Sequence, residues 1–356
     1  MLAQIIDSNR LIHRSNNMVT DMPSAQNVTK MYASEIKPGR LAELQRAVEN
    51  RIIGQQELIR SMMICLLCDG HMLIEGMPGL AKTTAAKTLA EALEGDFMRI
   101  QFTPDLLPSD LVGTDIYLQE KGEFTFRKGP LFNNIILADE INRAPAKVQS
   151  ALLEAMEEKQ VSVGHQTYQL PELYMVLATQ NPIEQEGTYS LPEAQLDRFL
   201  MHVVVRYPNH DEEMKILQLD EGLEKQKADH KKTPVPAIGQ ADVFAARKEI
   251  AALYLDDKLK HYAVSLVSAT REPKAYSEKL AGWLQFGASP RATLGIVRAA
   301  RALAWLHGDA YVSPHHIQQV APNILRHRII PTFEAEAEGV SRYRIIAHLL
   351  EVVAVP

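Results

Sequence analysis

An α/β fold, with a parallel sheet flanked by helices and a smaller all-α domain behind it, follows from three observations. Short continuous apolar runs (MLIE at Met72, IILA at Ile135, YMVLA at Tyr174) each stop at polar residues, as strands buried on both faces do. A loop with two glycines, GMPGLAKT, joins the first run to an alanine-rich, helix-forming segment. Beyond about residue 239 strand-like runs vanish and helical spacing takes over.

Length and composition set the outer limits. The 356 residues suffice for one large or two moderate domains, and 46% hydrophobic with 23% charged residues is ordinary for a globular protein. A formal net charge of −6 offers no broad basic surface for nucleic acid. No stretch has the apolar length of a membrane span, and MLAQIIDSNR lacks the basic start and long apolar run of a signal peptide, so the expected location is cytoplasmic. The only cysteines, Cys65 and Cys68, sit in the apolar MMICLLC and read as core thiols rather than metal ligands.

Taken in order, residues 1–36 form a leader without sustained periodicity. Residues 37–208 should form an α/β domain, 209–238 a connecting helix and linker, and 239–356 a helical domain. Leu41, Leu44 and Val48 recur at helical spacing, and Glu57 to Cys68 should be a helix apolar on one side. The stretch Gly76, Met77, Pro78, Gly79, Leu80, Ala81, Lys82, Thr83, Thr84 is a phosphate-binding loop. Glycines let several backbone N–H groups turn toward one polyphosphate, the helix N-terminus adds its positive dipole end, Lys82 reaches the β and γ phosphates, and the Thr83 hydroxyl ligates Mg²⁺. Ala81 stands where the general signature has glycine; an alanine already in the first helical turn would fit there at little cost.

IYLQEKGEFTF alternates around a polar centre and predicts a hairpin over about 115–127; VSVGHQTYQL predicts a second over about 160–170, with His165 and Tyr168 near its turn. Asp139 and Glu140 emerge where the second apolar run ends, at the sheet edge where α/β proteins bind ligands. Asp139 suits the Mg²⁺ shell and Glu140 the deprotonation of an attacking water. Asn142, Arg143 and Pro145 open a helix whose Val148, Leu152 and Met156 face inward. The third run delivers Thr179, Gln180 and Asn181 to the same edge, where a neutral Asn181 could position a water; an Asn-Pro turn is the rival explanation. LPEAQLDRFL places Arg198 on a short exposed helix, a planar fork able to reach a neighbouring subunit's phosphates. Ser289 and Pro290 start a lid helix with Arg291 in its first turn, and Ser313 and Pro314 start another. His315, His316 and His327 show no metal spacing and read as surface or packing residues.

The stretches EGMPGLAKT, LADEINRAPAKVQSALLEAMEE, LATQNPIEQEGTYSLPEAQLDRF and GASPRA resemble the MoxR family of AAA+ ATPases, from about residue 38 to the C-terminus. Ala81 fits that family's usual pattern. The resemblance implies a five-stranded P-loop core and a lid, with Lys82 and Thr83 in the first Walker motif and Asp139 and Glu140 in the second. It further implies sensor 1 at Asn181, an arginine finger at Arg198, sensor 2 at Arg291, and Ile53 and Gly54 bordering the adenine. It also implies ATP and Mg²⁺ as cofactors, a hexameric ring, and a protein client reached through a von Willebrand factor A domain protein. The same motifs leave open a magnesium-chelatase-like motor subunit, a helicase of related fold, and a nucleotide-gated binding module with little hydrolysis.

Overall fold

The computed structural model describes residues 39–77, 79–120, 122–164, 166–181, 189–228 and 238–356. The leader, Pro78, Lys121, His165 and residues 229–237 of the linker lie outside the described residues.

Helix α1 (Gly39–Arg51) buries Leu41, Leu44 and Val48 on one stripe. A turn at Ile53 and Gly54 (φ +78°) leads to α2 (Gln56–Leu67). α2 is buried around nearly its whole circumference, not on one side as its sequence suggested, because it lies between α1, the sheet and the lid. Strand β1 (Met72–Glu75) runs into the glycine loop and α3 (Lys82–Ala92), and β2 (Phe97–Gln101) and a short α4 (Pro108–Val112) follow. A hairpin of β3 (Gly113–Leu118) and β4 (Glu123–Lys128) precedes β5 (Ile135–Asp139) and α5 (Ala146–Glu158). A second hairpin, β6 (Gln160–Val163) with β7 (Gln166–Gln169), leads to β8 (Met175–Gln180), α6 (Glu193–Leu196) and β9 (Met201–Val204).

The five-stranded sheet has the order β2-β5-β8-β1-β9, and every pairing in it is parallel. Side chains alternate across a strand, so each central strand feeds two cores. Met72, Ile74, Ile135, Leu137, Met175 and Leu177 face α1 to α3 and the lid. Leu73, Ile136, Ala138, Val176 and Ala178 face α4 and α5, meeting Leu111, Val148 and Leu152. Both faces being covered explains the unbroken apolar runs. Each fully buried aliphatic side chain contributes about 1.5 to 3 kcal/mol, so these two layers outweigh any surface ion pair in the molecule.

After α7 (His210–Ala228) come α8 (Gln240–Ala252), α9 (Asp257–Arg271), α10 (Glu278–Trp283), β10 (Leu284–Phe286), α11 (Pro290–His307), α12 (Pro314–Leu325), β11 (Ile330–Pro331), α13 (Phe333–Ala337) and α14 (Arg342–Val352). β10 and β11 pair antiparallel within the otherwise helical lid, a detail the sequence hides because strands of three and two residues are too short for a period-2 signal. Arg328 ties lid to core. It is buried, and its five donor N–H groups all find acceptors: Asp197 Oδ1 (2.6 Å) and the carbonyls of Asp197, Phe199, Leu200 and Ile324 (2.6 to 3.1 Å). Desolvation lowers its pKa and Asp197 opposes that shift. Among the described residues no helix is long and apolar enough to cross a membrane.

Candidate active site

The C-terminal ends of β1, β5 and β8 meet at one cavity of about 320 Å³, lined by Gly76, Gly79, Leu80, Ala81, Lys82, Thr83, Thr84, Arg99, Asp139, Glu140, Thr179 and Asn181. Strands with a common direction put their last residues side by side, and that is how positions far apart in sequence share this edge.

Two glycines are required by geometry. A Cβ on Gly76 would lie 3.0 Å from both the Cβ and the carbonyl oxygen of Val205, and Gly79 has φ +83°. Ala81 does not sit in the first helical turn, as the sequence suggested; it is the N-cap of α3 in the left-handed conformation, φ +56° and ψ +16°. Alanine there costs about 1 to 2 kcal/mol of backbone strain. That explains why the general signature favours glycine at this place. Lys82 is buried and its ammonium donates to the Gly76 carbonyl at 2.8 Å. Desolvation lowers its pKa, and the nearby Asp139 and Glu140 pull the other way.

The two carboxylates are held differently. Asp139 accepts from the Thr179 hydroxyl at 2.6 Å through Oδ1, and from Arg99 at 3.1 and 2.5 Å through Oδ2. Glu140 has a left-handed backbone (φ +56°, ψ +49°), a strain of about 1 to 3 kcal/mol of the kind that collects at functional sites. Its amide donates to Thr179 Oγ1 at 2.9 Å, and Gln101 (2.6 Å) and Arg143 (2.9 Å) donate to its Oε2. Hydroxyl and carboxylate oxygens from Thr83 and Asp139 on one cavity are the hard donors that Mg²⁺ takes, so the residues present fit that ion once Asp139 exchanges Arg99 for it.

Arg99, Gln101, Arg143 and Thr179 in these roles escaped the sequence reasoning. Gln101 stands opposite Asp139 in the parallel register of β2 and β5, a neighbourhood visible only once the strand order is known.

Arg198 and Arg291 do not line this cavity. Arg198 lies two residues past the end of α6 instead of on it, half-buried, and its Nε is 3.0 Å from Glu157 Oε2. Arg291, in the first turn of α11, pairs with the other oxygen of the same Glu157. Both line a second cavity of about 300 Å³ between core and lid, with Arg298 and Arg328. Ile53, Gly54 and Met77 are not among the residues lining the first cavity; Gly54 packs toward the Glu212 side chain, and Met77 against the core. Tyr168 stacks on Phe126 of the other hairpin, ring centroids 4.1 Å apart.

A glycine loop ahead of a helix, a buried lysine and two acids at a parallel sheet edge define a P-loop nucleotide-hydrolysing protein. The model of the ATPase family associated with various cellular activities (AAA) matches residues 71–201, and that of the AAA lid domain matches residues 282–349. Chaperone MoxR1 of Mycobacterium tuberculosis is 46% identical over 88% of this chain and 82% of its own length. YeaC of Bacillus subtilis is 43% identical over 88% and 95%, and MoxR of Paracoccus denitrificans 32% over 84% and 92%. A crystal structure described as an ATPase from Cytophaga hutchinsonii superimposes with a TM-score of 0.81 at 44% identity, covering 94% of this chain and 98% of that one. The chain belongs to the MoxR family of AAA+ ATPases.

Proposed function

We propose that the chain hydrolyses Mg-ATP in a ring of identical subunits, a hexamer, and uses the cycle for chaperone-like remodelling, activation or metal loading of a partner protein complex. One observation carries this. Lys82, Asp139, Glu140 and Asn181 line one cavity while Arg198 and Arg291 line another, which supports a role for such arginines at a neighbour's nucleotide.

In this mechanism the backbone from Gly76 to Thr84 and the Lys82 ammonium grip the triphosphate, with Ile53 and Gly54 bordering the adenine. Thr83 and Asp139 would hold Mg²⁺, which when bound neutralises phosphate charge. Asn181 orients the attacking water and Glu140 takes its proton, its carboxylate aimed by Gln101 and Arg143. Arg198 leaves Glu157 to meet the charge spreading over the transferred phosphoryl group of the adjoining subunit, and Arg291, released from the same acid, serves as the sensor 2 arginine. Family membership supports a protein client, engaged in the cytoplasm through a von Willebrand factor A domain protein and without nucleic acid.

Mixing tests the division between subunits. Arg198→Ala should keep nucleotide binding and lose about 10³-fold or more in turnover. Adding Lys82→Ala protein should restore part of that turnover, because some mixed interfaces pair an intact loop with an intact arginine. No recovery in steady-state phosphate release would place Arg198 within its own subunit and remove the case for the ring.

A further inference from the structure

The lid carries a cluster that ATP hydrolysis does not use. α11 ends at His307, Gly308 turns left-handed at φ +78°, and the amides of Gly308 and Asp309 return to the carbonyls of Trp305 and Ala304. Tyr311 then bridges to Tyr254, the Val312 amide donates to the Tyr254 carbonyl at 3.1 Å, and Ser313 caps α12. This connection, anchored at its start, middle and end, gathers His307, Asp309 and His316 so that one ligand-capable atom from each lies within 4.8 Å of the others. His316 Nε2 is 3.0 Å from Asp309 Oδ2, and the two imidazole centroids are 5.6 Å apart. His316 is buried; His307 and Asp309 are exposed.

We propose that His307, Asp309 and His316 form a transition-metal site of the Zn²⁺ class on the lid, separate from the Mg²⁺ of the nucleotide. Two imidazoles and one carboxylate are the donors that Zn²⁺, Co²⁺ and Ni²⁺ accept, whereas Mg²⁺ and Ca²⁺ want oxygen throughout. Ligands about 2.0 to 2.1 Å from a tetrahedral zinc stand about 3.3 Å from one another. The His316 and Asp309 atoms already meet that separation, and the remaining closure falls to exposed side chains. Ser313 supplies the outer shell: its Oγ lies 3.1 Å from His316 Nδ1 and its amide 3.0 Å. Without metal, His316 Nε2–H donates to Asp309 and Nδ1 accepts from the amide. With Nε2 on the metal, the proton resides on Nδ1, so the Ser313 amide gives up that acceptor while Nδ1–H donates to Ser313 Oγ, the kind of bond that usually orients a metal-bound imidazole. Metal would then staple the end of α11 to the start of α12. Sequence spacing concealed the set because its ligands straddle a turn.

The test is calorimetric titration of the nucleotide-free full chain with Zn²⁺ in excess Mg²⁺, which occupies hard-donor sites. One Zn²⁺ per chain with micromolar affinity is expected. Asp309→Asn and His307→Ala, both at exposed positions, should each weaken it about tenfold or more. His315→Ala, whose ring faces Gln319 at 2.8 Å, should leave it unchanged. Co²⁺ should give visible d–d bands that His316→Ala abolishes. Absence of Zn²⁺ binding, or equal affinity in the Asp309→Asn/His307→Ala double variant, would overturn the site.

Discussion

The two cavities are of similar size, about 320 and 300 Å³, yet carry different equipment. The first has Lys82 and Arg99, two carboxylates and a glycine loop built on the ends of buried strands. The second gathers four arginines, Arg198, Arg291, Arg298 and Arg328, with Asp69, Glu157 and Asp197, on segments where core meets lid. Its arginines differ in turn: Arg328 is buried with every donor used, whereas Arg198 and Arg291 share a single half-exposed Glu157. The first cavity thus builds its charged groups on strand ends and a glycine loop, while the second keeps two cations on a weak tether. An exposed or half-exposed pair contributes about 0 to 1 kcal/mol, far less than a charge-assisted contact to phosphate. Fixed chemistry on strands and exchangeable cations at a domain junction suit a site shared between subunits.

That contrast can be broken at several points. The largest effect is expected at Glu140: Glu140→Gln removes only the base, so turnover should fall about 10²- to 10⁴-fold while ATP still binds. Wild-type phosphate release would strike Glu140 from the mechanism. Lys82→Ala should weaken nucleotide binding about tenfold to a hundredfold, the size of a lost charged hydrogen bond, as read by fluorescent-nucleotide titration.

Acid should act next, through the second cavity's His71. It is buried between the Met156 carbonyl (3.1 Å from Nε2) and the Val176 amide (3.1 Å from Nδ1), an arrangement that admits only the neutral ring. Desolvation pulls its pKa from 6.5 down to about 4. The unfolded chain therefore takes up this proton first, and stability should be full above pH 6.5 and decline as pH falls toward 4, by about 3 kcal/mol in total. Urea midpoints across that range check it, and His71→Gln should flatten the slope. The smallest effect is expected at Glu157: Glu157→Gln should shift unfolding free energy by less than about 1 kcal/mol. A larger loss would show that the arginine pair holds the lid down.

Much of this was legible in the sequence, for identifiable reasons. Buried parallel strands write themselves as continuous apolar runs, and Gly79 and Lys82 stand where a phosphate loop needs them. Other features were not. Ala81 looked helical because a left-handed N-cap leaves no mark on the letter alanine. β10 and β11 are too brief to alternate. The partners of Asp139 and Glu140 come from β2, β8 and the turn after β5, and only Arg143 belongs to the local motif.

By itself, then, the sequence determined the strands, the helices and the chemical character of the phosphate loop, since these depend on sterics and burial patterns repeating over a few residues. Tertiary structure alone decided that Arg99 would face Asp139, that Glu157 would hold two arginines, and that His307 and His316 would converge across a turn. Such meetings depend on strand order and on how lid and core exclude water from the surface between them, and no short-range periodicity encodes either.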